Sequence, residues 1–321
     1  MAVYTSVSAD QIVDFIKDYD VGEMVSFKGI AEGTENSNYI LKTTKASYIL
    51  TLFEKRVQAT DLPFFLGLMD HLAHKGISCA TPVRDFQGEM LKSLCGRPAA
   101  LISFLDGLSV SRPTADQCLM LGAEMARMHV AAADFSLKRE NALSVAGWAE
   151  LVQKCAPEAN ECVPGLKSLI EEEMNDLANG WPQDLPRGII HADLFPDNVF
   201  FLKQNLSGLI DYYFACNDIL AYDVAICLNA WCFEADGSFN ITKARHLLHG
   251  YKGVREFSPQ EIEALPTLCR GAALRFLLTR LYDWQNRVEG ALVSPHDPRD
   301  FVKKLKFHQA VKNAAEYGLD L

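Results

Sequence analysis

Three side chains close together in the sequence, Asp193, Asn198 and Asp211, have the chemistry to move a phosphoryl group. A carboxylate can accept the proton of an attacking hydroxyl, which suits Asp193 to the role of general base. An amide oxygen and a second carboxylate are hard ligands for Mg2+ on a nucleotide phosphate, which suits Asn198 and Asp211 to the metal. Such groups must be held at the ends of short extended segments. The apolar pair Ile189-Ile190 runs into His191, and an apolar run, Val199–Leu202, follows Asn198. A turn is expected over Gln204–Gly208, after which Leu209-Ile210 ends on Asp211. This pattern predicts a loop that feeds a β-hairpin, with polar groups at both ends.

The spacing has a known counterpart. The protein-kinase catalytic loop is written H-R-D-L-x-x-x-N. Residues His191 to Asn198 fill that frame with His, Asp, Leu and Asn in register, and Ala192 stands in place of the Arg. Asp211, at the end of a strand, occupies the place of the first residue of the Asp-Phe-Gly element.

The elements around this stretch change character along the chain. Ser8 and Gln11 form a capping box before Ile12, Phe15 and Ile16, which predicts a helix over about 9–18. Strand-like segments follow at Val25–Ile30, Tyr39–Lys42 and Tyr48–Phe53. Between the first two, Gly29 and Gly33 leave backbone N–H groups able to approach a phosphate. No Gly-Lys-Ser/Thr ending follows, so this is not a Walker A loop. A helix is expected over Leu62–His74, with short strands at Thr81–Val83, Glu89–Leu94 and Ala99–Phe104. Beyond Leu105-Asp106-Gly107 the pattern turns helical. Thr114 and Gln117 make a second capping box, and helices are expected at Val145–Cys155, Pro164–Ala178, from Ser258-Pro259 through Trp284, and over about 298–316.

With 49% hydrophobic and 22% charged residues in 321, the chain can bury a large core. A net charge of −10 argues against a nucleic-acid partner. No apolar run is long enough to span a membrane, and the N-terminus lacks a signal-type core, which together predict a cytoplasmic protein. The nine cysteines are irregularly spaced and contain no C-x-x-C, as expected for reduced thiols that fill the core. His71/His74 and His246/His249 lack a third ligand nearby and are read as surface or satisfied histidines. No motif specifies an oligomeric state.

Taken together, these pieces resemble the aminoglycoside phosphotransferase/choline kinase-like family. The resemblance is carried by Gly33-Thr34-Glu35-Asn36 before Tyr39, the connector Leu101–Gly107, His191–Asn198, Leu209-Ile210-Asp211, and Ala221-Tyr222-Asp223-Val224-Ala225. Within that family, the runs Gly29–Tyr39 and Arg280-Leu281-Tyr282-Asp283-Trp284 look like the bacterial homoserine kinases.

The resemblance implies an α+β, bilobal protein-kinase-like fold. A nucleotide-binding lobe of antiparallel sheet with a helix would span 1–103, and a larger, mainly helical catalytic and substrate lobe would span 104–321. It implies ATP and Mg2+ as cofactors, Asp193 as base, and Asn198 and Asp211 on the metal. Gly33, Thr34, Asn36 and Ser37 would cover the phosphates, backbone groups at Ser103 and Leu105 would meet the adenine, and Asp223 would hold the catalytic loop. The acceptor would be L-homoserine, with Arg275 or Arg280 on its carboxylate and Asp283 or another acid on its ammonium. The alternatives are a family member acting on choline, methylthioribose or an aminoglycoside, or a nucleotide-binding pseudokinase. One departure stands out. The family commonly carries Lys or Arg at the end of its third strand, where this chain has Thr51, and Phe65 sits near the expected place of the partner Glu. Lys55, Arg56 or the metal would then supply the missing charge.

Overall fold

The computed structural model describes residues 4–30, 36–54, 58–287 and 295–319. Helix α1 (Ala9–Ile16) starts at its capping box, with Ser8 Oγ accepting from the Gln11 amide and the Gln11 side chain accepting from the Ser8 amide. Strands β1 (Met24–Gly29), β2 (Ser37–Thr43) and β3 (Ser47–Leu52), helix α2 (Leu62–His74), and strands β4 (Lys92–Leu94) and β5 (Arg97–Ser103) follow. The five strands form one antiparallel sheet in the order β1-β2-β3-β5-β4. Alternation along β5 sends its side chains to two cores. Ala99 and Leu101 join Ile12, Phe15 and Ile16 of α1, while Ala100 and Ile102 join the larger core around α2. Strand structure is shorter than expected before β5. Pro82 makes a single bridge to Ile102, because proline offers no N–H to a ladder, and pairing between 89 and 94 is confined to β4.

Most of the remainder is helical: α3 (Ala115–Ala131), α4 (Val145–Cys155), α5 (Ala159–Cys162) and α6 (Leu166–Gly180). Strands β6 (Arg187–Ile190), β7 (Val199–Leu202), β8 (Asn205–Leu209) and β9 (Cys216–Ile219) come next. Helices α7 (Leu220–Trp231), α8 (Ile241–Lys252), α9 (Pro259–Gln285) and α10 (Arg299–Ala310) complete it. The last helix stops short of the expected 316, because Val311 is extended and a separate short turn, Ala314–Tyr317, begins under an Asn313 cap. Helices α3 and α8 cross at their closest where both present glycine. A Cβ on Gly122 would lie 2.0 Å from the Leu247 carbonyl oxygen, and one on Gly250 would lie 2.0 Å from that of Leu119. Only backbone fits at this crossing.

The four short strands pair as β6 with β9 and β7 with β8. The chain turns between β7 and β8 at Lys203-Gln204, with Lys203 left-handed, earlier than the expected Gln204–Gly208. Gly208 lies inside β8, where a Cβ would meet the Ser78 carbonyl oxygen and Leu105 Cδ2 at 2.8 Å. The hairpin is tied to the N-terminal part by the Leu209 amide, which donates to Ser78 O at 3.0 Å, and to the connector by paired Leu108–Phe201 bonds of 3.0 and 2.9 Å. Seven of the cysteines are buried and all nine are unbridged. Among the described residues no helix is long and apolar enough to cross a membrane.

Candidate active site

The two small sheets set the geometry. Residues 191–198 connect β6 to β7, and residues 210–215 connect β8 to β9, so both loops leave the same pair of sheets. Buried Ile189 and Ile190 anchor the first loop, and buried Val199 and Leu209 anchor the hairpin. The loops are also bonded to each other. Ile210 donates its N–H to Asn198 O at 3.0 Å, and His191 Nε2 donates to Ile210 O at 2.9 Å. Burial pushes the pKa of His191 down, which keeps the imidazole neutral in this role.

Asp193 and Asn198 stand side by side. The Asn198 amide nitrogen donates to the Asp193 carbonyl at 2.8 Å and to its carboxylate Oδ2 at 3.1 Å. Asn198 is buried, Asp193 is partly buried and Asp211 is exposed. Among the described residues four without a glycine's freedom are left-handed, and two of them fall here, Ala192 (φ 63°) beside the candidate base and Asp211 (φ 64°) itself. Such conformations are disfavoured for residues with a Cβ and persist where the surroundings enforce them.

Beneath the loop, the Asp223 carboxylate accepts from the His191 amide at 2.8 Å, the Ala192 amide at 2.9 Å and His129 Nε2 at 3.1 Å. His129 Nδ1 meets the Tyr251 hydroxyl at 2.9 Å, and Tyr251 accepts from Arg255, which pairs with Glu261 at 3.0 Å. The α3–α8 crossing brings His129 and Tyr251 together. Residues so far apart in the chain give no sequence signal for this relay.

The place of the kinase Lys–Glu ion pair is filled differently. Thr51 Oγ1 donates to Asn38 Oδ1 at 2.8 Å. Tyr213 packs edge-on against Phe53 and Phe65, with ring centroids 5.4 and 5.7 Å apart, and Arg139 lies 4.9 Å over Phe65 while pairing with Asp61 at 2.7 Å. Burial raises the Tyr213 pKa, so its hydroxyl stays neutral. Tyr213 stands where the Asp-Phe-Gly frame has Gly, and that substitution is its sequence signal. Lys55 and Arg56 lie outside the described residues.

Gly33 and Thr34 also lie outside the described residues. Asn36 and Ser37 are buried at the root of that loop. Ser37 Oγ donates to Glu54 Oε1 at 2.7 Å and accepts from the Tyr4 and Thr5 amides, so its hydroxyl points inward. Asn36 Oδ1 accepts from the Glu54 amide at 3.3 Å. The Ser103 amide donates to Thr81 O at 2.8 Å, and Leu105 follows two residues further along the connector.

The arginines of α9 separate. Arg275 is 2% exposed, and its Nη1 donates to the Ala192 carbonyl, so this side chain is turned onto the loop backbone and away from the solvent-facing side. Arg280 lies 4.5 Å over Phe301 and 5.9 Å from Phe195. Burial lowers its pKa against the opposing fields of Asp300, Asp197 and Asp193. Asp283 is exposed one turn further on, and its charge reaches His296 together with those of Arg280 and Asp197.

Comparison with known proteins identifies the family and the fold. The phosphotransferase enzyme family matches residues 26–257. The homoserine kinase of Allorhizobium ampelinum is 58% identical over 318 residues, covering 99% of both chains, and that of Bradyrhizobium sp. is 59% identical over 319 residues with the same coverage. Among solved structures, an amicoumacin kinase in complex with AMP-PNP and Ca2+ superposes with a TM-score of 0.71 at 15% identity, covering 96% of this chain and 95% of that one. A choline kinase of Cryptosporidium parvum superposes with a TM-score of 0.67 at 15% identity, covering 94% of each chain. The kinase-like fold expected from the sequence is the fold these enzymes share.

Proposed function

The chain belongs to the phosphotransferase enzyme family, and from that premise we propose that it transfers the terminal phosphoryl group of ATP to the hydroxyl of L-homoserine in the cytoplasm, giving O-phospho-L-homoserine on the route to threonine. The observation that carries this reading is the 58% identity to a homoserine kinase across 99% of both chains.

The donor set suits Mg2+. This ion takes one or two protein ligands and completes its shell with phosphate and water. Asn198 and Asp211 are that kind of pair, and among the described residues no cluster of three or more His, Cys, Asp or Glu could hold an ion alone. When bound, Mg2+ neutralises charge on the phosphates and orients them. Asp193 accepts the proton of the acceptor hydroxyl at its carboxylate, and the Asn198 amide at 3.1 Å fixes which oxygen faces the acceptor. The connector at Leu105 meets the adenine, and the loop containing Gly33 and Thr34, rooted at Asn36 and Ser37, closes over the phosphates. Arg280 takes the carboxylate of the amino acid, and Asp283 or Asp197 takes its ammonium. The fields of Asp197 and Asp193 at Arg280 support that placement.

The test is kcat/KM by ADP release for L-homoserine, L-serine, choline and methylthioribose under one Mg-ATP condition. L-Homoserine should rank first. Choline has no carboxylate and would leave the half-buried Arg280 without that partner. L-Serine is one methylene shorter, and a misplacement of about 1 Å costs on the order of 10²-fold. If choline or methylthioribose outranks L-homoserine, the acceptor is wrong. Mg-ATP binding without any acceptor-dependent ADP release would leave a pseudokinase. Asp211→Ala should abolish Mg2+-dependent turnover while the protein stays folded.

A further inference from the structure

We propose that Arg275 is a positioning residue, which holds the peptide between Ala192 and Asp193 in the left-handed turn from which Asp193 is presented to the acceptor. The proposal rests on the phosphoryl-transfer reading above. Ala192 has φ 63°, a conformation that its Cβ disfavours by roughly ten-fold in population. The turn immediately precedes the base, so a relaxation there swings the carboxylate away. Three backbone groups at this turn are held by side chains from outside the loop. The His191 and Ala192 amides are both taken by Asp223. The third is the Ala192 carbonyl, and it accepts from Arg275 Nη1. The strained residue is thus gripped on its N–H side from α7 and on its carbonyl side from α9.

The grip from α9 is rigid. Arg275 is 2% exposed, and its guanidinium lies 4.4 Å from the Phe276 ring and 5.8 Å from that of Phe214. Phe276 in turn packs edge-on against Phe195 with centroids 4.7 Å apart. Neighbouring residues of α9 therefore touch the loop on both sides of Asp193, one through a hydrogen bond and one through a ring. The planar guanidinium is suited to this, because its donors keep a fixed fork geometry when the charge is buried among aromatic faces. A lysine ammonium would retain the charge and lose the geometry.

That difference supplies the experiment. Arg275→Lys, Ala192→Gly and the double variant are compared with the full chain for kcat, for KM of ATP and of L-homoserine, and for Tm. Arg275→Lys should lower kcat by roughly 10- to 100-fold, with both KM values within about threefold, because a small misplacement of the base is expensive. Adding Ala192→Gly to Arg275→Lys should recover about five- to ten-fold of the lost kcat, since glycine enters the left-handed region without penalty. A merely structural arginine would lower Tm without that rescue. Three results overturn the proposal: kcat of folded Arg275→Lys within threefold of the parent, a loss borne by KM for L-homoserine, or no gain from Ala192→Gly in the double variant. Should Arg275→Lys not fold, the cycle is run with Arg275→Gln, whose amide is still a donor, and the same results decide. If the unaltered enzyme does not turn over L-homoserine, the acceptor reading fails instead, and the cycle is run on whichever hydroxyl acceptor releases ADP.

Discussion

Asp223→Asn removes a single charge and keeps the shape, and the structure says what that costs. The buried carboxylate takes three donors: Oδ2 accepts from the His191 amide and His129 Nε2, and Oδ1 accepts from the Ala192 amide. The best an asparagine can do is set its oxygen where Oδ2 was. Its NH2 then confronts the Ala192 N–H, leaving two donors facing each other with no solvent to relieve them. Each hydrogen bond to a charged group is worth about 1.5–3 kcal/mol. One bond is lost, two are weakened and a buried donor is stranded, so a destabilisation of about 3–5 kcal/mol is expected. In a chain of this size that is a fall in Tm of roughly 4–7 °C. Because the stranded amide belongs to Ala192, kcat should fall as well, by 10-fold or more.

The pH dependence gives a second readout of the same variant. Burial alone would raise the Asp223 pKa, but the hydrogen bond from His129, the two imidazoles and the His191 amide outweigh it and hold the carboxyl below its ordinary value. A depressed folded pKa contributes stability that is complete above the unfolded value near 4 and is lost as pH falls through the folded one. The Tm gap between the parent and Asp223→Asn should therefore be constant from about pH 7 to pH 5 and should narrow below about pH 4. Thermal melts across that range, with kcat at neutral pH, make the assay. A variant that melts within about 2 °C of the parent and retains kcat within threefold would refute the view that Asp223 holds the loop.

Other changes test neighbouring parts. Asp193→Asn should lower kcat by roughly 10²–10⁴-fold with little change in KM for ATP, and near-normal turnover would remove Asp193 from the chemistry. Thr51→Ala deletes the hydrogen bond to Asn38 and the side-chain contact with Tyr213, neither of which involves a phosphate, so KM for ATP should stay within a few-fold; a collapse of turnover would mean that Thr51 touches the nucleotide. Gly250→Ala forces a methyl to within 2.0 Å of the Leu119 carbonyl oxygen, and overpacking of this kind costs about 1–3 kcal/mol, to be read as a lower Tm. An unchanged Tm would mean that α3 and α8 do not cross as closely as described.

Much of this arrangement could be read from residues alone, where local chemistry decides. Helices Leu62–His74 and Val145–Cys155 appear with the bounds their apolar spacing gives, the Ser8 and Thr114 capping boxes are formed, and a helix starts at Ser258-Pro259 as expected. The loop-and-hairpin pattern around Asp193 and Asp211 is legible because short apolar runs bracket each polar group. Elements fixed by distant contacts are not. Gly208 reads as a turn residue, yet it is small because Leu105 and Ser78 crowd it within the strand. Arg275 and Arg280 look alike in a helical run, but five residues of α-helix put them on different faces, and only the packing of α9 tells which meets the loop and which the open side. Asp223 is visible by resemblance, whereas its partners His129 and Tyr251 are brought together only by the glycine crossing of two helices.

The aromatic filling between β3 and α2 bears on control. In protein kinases an ion pair at this place must form for activity, and helix position and loop phosphorylation govern whether it does. A charge pair of that kind is a latch that ions and modifications can open. Phe53, Phe65 and Tyr213 present rings where the latch would be, and the contact between rings is not screened by salt. Helix α2 is thereby held at this point by ring contacts, while its charged residues pair elsewhere, Asp70 with Arg84 at 2.7 Å and His71 with Asp134 at 3.1 Å. The seating of α2 against the end of β3 should therefore be indifferent to ionic strength, where a charge pair in the same place would loosen as salt rises.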